Sequence, residues 1–129
     1  MKIEHFAIQV PDPVAFAAWY TEHLDMRILR SGGAPTHTHF LADSDGTSVL
    51  EIYRNEDAPL PDYPRQDPLV VHLAFVSEDP AADRERLLAA GAVHHAGPTT
   101  TPAGDTLVML RDPWGFPIQL CRRQQSFYA

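Results

Sequence analysis

Cysteine is nearly absent: Cys121 is the only one in 129 residues. A lone thiol excludes an intrachain disulfide and a thiolate metal cluster. Long apolar runs are missing too. No stretch approaches the roughly 20 residues that a membrane helix needs, so no membrane segment is expected. The opening MKIEHF has no apolar run behind a basic flank, and no signal peptide is read there. Positive charge is scarce. The only basic cluster is Arg122-Arg123 and the net charge is −7. That balance argues against a nucleic-acid backbone as partner. Together these absences lead us to expect a cytoplasmic protein.

Histidine, in contrast, is plentiful, with seven copies in a short chain. It is the commonest metal ligand and the natural acid–base group near neutral pH. Its placement follows a repeat. The stretch IEHFAIQVPDP (Ile3 to Pro13) matches VVHLAFVSEDP (Val70 to Pro80), and His72, Asp79 and Pro80 each lie 67 residues after His5, Asp12 and Pro13. Each histidine sits in a strand-like run rich in Ile, Val, Leu and Phe. Each Asp-Pro reads as a helix N-cap followed by proline in the first turn. Helices are expected from Val14 to about Leu24 and from Ala81 to about Ala90, the second closed by Gly91.

The second halves repeat as well. DSDGTSVLEIY (Asp43 to Tyr53) resembles DPWGFPIQLC (Asp112 to Cys121), each an Asp-x-x-Gly turn leading into a strand with one polar residue. Glu51 follows its aspartate by 8 positions and Gln119 by 7, so the copies differ by one residue at the turn. Two further strands are expected in each copy, near Arg27–Arg30 and His37–Leu41, then near Ala92–His95 and Thr106–Leu110. The implied fold class is α+β, with two βαβββ modules forming curved mixed sheets around a cleft. Residues 1–54 would form the first module and 70–123 the second. A proline-rich linker would cover 55–69 and a short tail 124–129. One copy alone is too small to bury a sufficient core, so the two should share one or pair across a dimer.

Strand side chains alternate between faces. By that count His5, Glu51, His72 and Gln119 each point to the face that the bulky apolar residues avoid. Taken singly, a strand histidine is usually structural and a strand glutamate usually meets solvent. The matched offsets shift the reading towards a shared purpose. Two imidazoles, a carboxylate and an amide oxygen form a ligand set for one divalent ion. With no thiolate, the set suits Zn, Ni, Co, Mn or Fe(II) and leaves positions open for water or substrate.

The repeat resembles the paired βαβββ modules of the vicinal-oxygen-chelate superfamily. That group includes glyoxalase I, methylmalonyl-CoA epimerase, extradiol dioxygenases, fosfomycin-resistance thiol transferases and bleomycin-resistance proteins. The resemblance covers roughly Lys2 to Arg122, and His5, Glu51, His72 and the DPWGFPIQL motif fall where that superfamily places its first-strand and last-strand ligands. It implies a glyoxalase-like lyase or isomerase working by metal-assisted proton transfer on a small substrate with adjacent oxygens. It also implies a homodimer. Two other chemistries share the resemblance: a metal-free ligand-binding protein of the bleomycin-resistance kind, and an Fe(II) extradiol-type dioxygenase. The chain departs from the glyoxalase pattern at Gln119, where glutamate usually serves as ligand and base. An amide oxygen can hold a metal but takes up no proton at neutral pH. The roles are therefore expected to be mirrored, with Glu51 as the catalytic base.

Further residues are weighed as lining. His37 and His39 share parity in THTHF and are read either as substrate contacts or as a half-exposed polar face. Trp114, beside the Gly115 turn, is read either as a pocket wall touching substrate or as core or dimer packing. His94 and His95 are read as surface. Arg54, Arg111 and Tyr53 are read as solvated, with anion binding as the other option. Cys121 shares parity with Gln119 and is read as a small buried hydrophobe. Phe127 and Tyr128 in the tail are candidates for docking on a partner subunit.

Overall fold

The computed structural model describes residues 1–128. They form two compact units, Met1–Pro61 and the chain from Asp62 onward. The first contains β1 (Phe6–Gln9), α1 (Pro13–His23), β2 (Arg27–Ser31), β3 (His39–Ala42) and β4 (Val49–Tyr53). The second contains a single 3₁₀ turn at Tyr63–Arg65, then β5 (Leu73–Val76), α2 (Pro80–Ala89), β6 (Val93–Thr100), β7 (Thr106–Arg111) and β8 (Pro117–Arg122). The sheets run β1-β4-β3-β2 and β5-β8-β7-β6. In each, the first strand lies parallel to the last and the remaining pairs are antiparallel. The expected pair of βαβββ modules with mixed sheets is what the chain forms. The repeat holds to the register: Ala7 faces Glu51 across β1 and β4, as Ala74 faces Gln119 across β5 and β8.

Both helices start as their Asp-Pro signals require. Asp12 accepts the Ala15 N–H at 3.1 Å and Asp79 accepts the Ala82 N–H at 3.0 Å. These side chains satisfy donors that have no partner within the helix. α1 buries Phe16, Ala17, Trp19 and Tyr20, with Phe16 and Tyr20 stacked at 4.0 Å. Leu41, Leu50, Ile52 and Ile8 complete that core from the sheet. In the second unit α2 inserts Leu87 beside Val108, Leu110, Ile118 and Leu120, all buried. The helix gives way at Gly91, whose φ of 104° suits glycine.

The two Asp-x-x-Gly turns are built alike. Asp43 N–H donates to the Ser48 carbonyl and Asp112 N–H to the Phe116 carbonyl, while Gly46 and Gly115 donate back to the aspartate carbonyls. The Asp43 carboxylate accepts Ser48 N–H, and the Asp112 carboxylate accepts Trp114 and Phe116 N–H. The one-residue difference between the copies is absorbed inside this loop.

Several boundaries differ from expectation. His5 and His72 each stand one residue before their strand, because pairing begins at Phe6↔Leu50 and Leu73↔Ile118. β3 begins at His39 rather than His37, since His37 has φ of 48°, a left-handed turn that no strand tolerates. β6 runs on to Thr100, carried past two irregularities in register. The proline-rich stretch is largely exposed but is anchored at a few points. Gln9 donates to the carbonyls of Asn55 and Ala58 and accepts the Asn55 N–H. Further on, Tyr63 is buried against Phe116, and Arg111 donates to the carbonyls of Tyr63, Gln66 and Gly115.

Candidate functional site

In the first unit the register sets four residues in one row across the sheet. Arg30 opposes Phe40, Phe40 opposes Glu51, and Glu51 opposes Ala7. Directly opposed residues share a face. The row therefore projects from the side opposite Leu41, Leu50 and Ile52, which face α1. His5 joins it. Its Nε2 lies 3.7 Å from Glu51 Oε1, and its ring meets Phe40 edge-on at 5.7 Å. Both members of the pair remain open to solvent, with side-chain exposures of 35% and 19%. His5 Nδ1 pairs with the Glu4 carboxylate. That hydrogen bond is the main reason the imidazole pKa is raised above its ordinary value. Burial works against it, and the charges of Glu4 and Glu51 add to it.

The second unit carries the counterpart. His72 Nδ1–H donates to the Pro68 carbonyl at 2.8 Å, which fixes the tautomer and leaves the Nε2 lone pair free. Gln119 is half-buried, and its Oε1 accepts the Cys121 S–H at 3.2 Å. Burial is the largest influence on the Cys121 thiol and pushes its pKa up, so the sulfur stays protonated and unreactive. The row through Gln119 reads Ala96, Met109, Gln119, Ala74, with no charge in it. Beside it opens a cavity of about 540 Å³ lined by Ala74, Val76, Cys121, Arg122 and the tail residues Phe127 and Tyr128.

The paired residues thus divide as His5 with Glu51 in the first unit and His72 with Gln119 in the second. Among the described residues no three His, Cys, Asp or Glu side chains gather as a metal-holding group. His39 opposes Ile52, so it faces α1 and not Glu51; it is 7% exposed and its Nδ1–H is spent on the His37 carbonyl at 2.6 Å. His37 is an exposed loop residue. Trp114 sits half-buried in the Asp112 turn. Arg111 is neither solvated nor an anion site, since three backbone carbonyls occupy its guanidinium. Two residues beside Glu51 were missed from the sequence, Phe40 and Arg30. The one available signal was that Phe40 alternates with Leu41 from His39 onward.

A family model described as Glyoxalase/Bleomycin resistance protein/Dioxygenase superfamily matches residues 2–120. Among solved structures, a glyoxalase family protein from Bacillus cereus superposes with a TM-score of 0.80 at 15% identity, covering 97% of this chain and 95% of its own. A glyoxalase family protein from Enterococcus faecalis is 26% identical, with a TM-score of 0.72 over 94% of this chain and 97% of its own. TnmS3, an antibiotic binding protein from Streptomyces sp. CB03234, is 23% identical, with a TM-score of 0.71 over 96% of this chain and 99% of its own. A comparison with curated proteins gave no match.

Proposed function

Since the chain belongs to the glyoxalase/bleomycin resistance protein/dioxygenase superfamily, we propose that it is a glyoxalase-like metalloenzyme of the lyase or isomerase kind, active as a homodimer. Its substrate is a small carbonyl, hydroxy acid or thioester with adjacent oxygens. The observation that carries this reading is the His5–Glu51 pair, an imidazole nitrogen and a carboxylate oxygen 3.7 Å apart on an open sheet face. The donor chemistry fits a divalent ion such as Zn, Ni, Co, Mn or Fe. Each module offers one imidazole and one oxygen, and His72 already spends its Nδ1–H on a carbonyl as a ligating histidine does. His5, Glu51, His72 and Gln119 would hold the ion. Bound there, it supplies Lewis-acid polarisation of the substrate oxygens.

The proton falls to Glu51. It is the only carboxylate of the four, and Gln119 carries no basic atom at neutral pH. Its position beside His5 keeps it partly shielded yet reachable. The Glu4 contact to His5 Nδ1 leaves Nε2 as the nitrogen turned to Glu51.

A second reading, a metal-free ligand-binding protein, is favoured by one feature: the Gln119 oxygen is already engaged by Cys121. The likeness to an antibiotic binding protein agrees with it.

The test combines metal analysis with proton exchange in D₂O. The parent should hold one ion per chain and wash deuterium into the carbon next to the carbonyl of a 2-hydroxy carbonyl substrate. Glu51→Gln, which keeps an amide oxygen, should slow that exchange roughly a hundredfold or more. Equal exchange by the two proteins, with metal bound in both, would remove Glu51 as the base. Ligand binding unchanged by His5→Ala and His72→Ala would favour the metal-free reading.

A further inference from the structure

We infer that Arg30 holds an anionic end of the substrate, a carboxylate or phosphate remote from the reacting oxygens. The inference rests on the reading of His5 and Glu51 as the reacting pair, and it names the substrate class that pair receives.

Arg30 reaches this face through an irregularity. Ile28 opposes Leu41, but the residue opposite Phe40 is Arg30, not Leu29, because β2 shifts register between Ile28 and Arg30. In a regular strand Leu29 would stand in the row. Bulges re-aim side chains in this way and recur beside active sites. Here the shift exchanges an aliphatic side chain for a guanidinium.

The guanidinium sits 5.8 Å over the Phe40 ring, whose other contact is the edge of His5 at 5.7 Å. Neighbouring strands lie about 4.8 Å apart, so the Arg30 and Glu51 backbones are separated by roughly 10 Å with Phe40 between them. An anion on Arg30 is thereby kept from the Glu51 carboxylate by an aromatic ring. Among the described residues the Arg30 guanidinium makes no hydrogen bond or ion pair. Arg84, Arg86, Arg111 and Arg123 are all committed, to Glu85, Asp83, backbone carbonyls and Asp105 respectively. Among the described residues Arg27 and Arg122 are likewise uncommitted, but Arg30 is the arginine in the row of Glu51. The second module serves as an internal comparison, since the equivalent positions hold Ala96 and Met109. Of these two equivalent rows, only the one with the carboxylate carries a cation.

The experiment compares two probes with the same five-carbon 2-hydroxy acid head, 2-hydroxyglutarate and 2-hydroxypentanoate. Only the first has a distal carboxylate. Their affinities are measured by calorimetry on the full chain. The parent should prefer 2-hydroxyglutarate about tenfold, the scale of one charge-assisted hydrogen-bonded pair. Arg30→Gln should erase that preference and leave 2-hydroxypentanoate binding unchanged. Arg30→Lys should keep part of it. Arg65→Gln, whose side chain is 89% exposed in the other unit, should change neither affinity. A parent without preference, or a preference that survives Arg30→Gln, overturns the inference. So does the absence of saturable binding of both probes. Glu51→Gln separates the two ideas, because it should weaken both probes alike. If it leaves both unchanged while Arg30→Gln still erases the preference, the reacting pair is wrong and the anion site stands.

Discussion

Asp105 accepts the Gln124 backbone N–H and an Arg123 guanidinium N–H, each at 2.8 Å, and so ties the start of β7 to the chain beyond β8. These bonds, the Gln124 N–H first and Arg123 after it, hold its carboxyl below the ordinary carboxylate range. A depressed folded pKa means that the unfolded state binds the proton more readily. The stabilisation is therefore complete above the unfolded value of about 3.9 and is lost as pH falls through the folded value. Asp105→Asn should lower the melting temperature at pH 7, and the gap to the parent should close below about pH 4. A gap that stays constant down to pH 2.5 would show that the charge plays no part. The same rule of polar groups with assigned partners runs through Gln9, Asp112 and Arg111. Each is a polar side chain occupied by backbone. Glu51 and Arg30 differ from these in having a side chain left over for a ligand.

The turn between β7 and β8 shows how an element depends on one backbone position. Gly115 has φ of 84°, and a Cβ there would stand 2.4 Å from Pro64 Cγ and 2.9 Å from Pro64 Cα. The Pro64 segment cannot retreat, since Arg111 holds the carbonyls of Tyr63 and Gln66 and Tyr63 packs on Phe116 at 4.8 Å. Gly104 has a similar φ of 86°, but its Cβ would meet only the flexible Gln124 side chain. Gly104→Ala should cost about 1–2 kcal/mol, the left-handed penalty alone. Gly115→Ala should cost clearly more, seen as a melting temperature lower by several degrees. Equal losses would mean that Pro64 yields freely. Elements of this kind were legible in the sequence: both Asp-Pro caps, both Asp-x-x-Gly turns, and the order of strands. What parity counting could not reach were faces set by irregular backbone. His39 is a miss of a different kind: it shares parity with the core residue Leu41, and it opposes Ile52 on the α1 side. Arg30 could not be placed at all, because a shift of register within β2 leaves no mark in the hydrophobic pattern.

Across the whole chain, one βαβββ template is used twice with its polar content redistributed. The first copy has Arg30, Phe40 and Glu51 in its row where the second has Ala96, Met109 and Gln119. Each copy also ends its sheet in a strand paired on one side only, β1 by β4 and β5 by β8. Apolar side chains at and beside those edges face solvent: Ile3 and Phe6 at 84% and 53% exposure, and Val76 at 77%. Open edges with apolar side chains are templates for pairing with another chain, and soluble proteins normally cover or charge them. A second copy of the chain supplies a matching pair of edges under two-fold symmetry, the commonest arrangement for soluble oligomers. Sedimentation at tens of micromolar should therefore give a mass twice the 14.4 kDa of one chain. Placing a lysine at each edge, in Phe6→Lys and Val76→Lys, should shift the species towards monomer by at least about tenfold in dissociation constant, while the far-ultraviolet dichroism of the two modules is retained. A 14.4 kDa particle for the parent at those concentrations would show that the edges are tolerated bare. A dimer indifferent to both lysines would place the interface on some other surface.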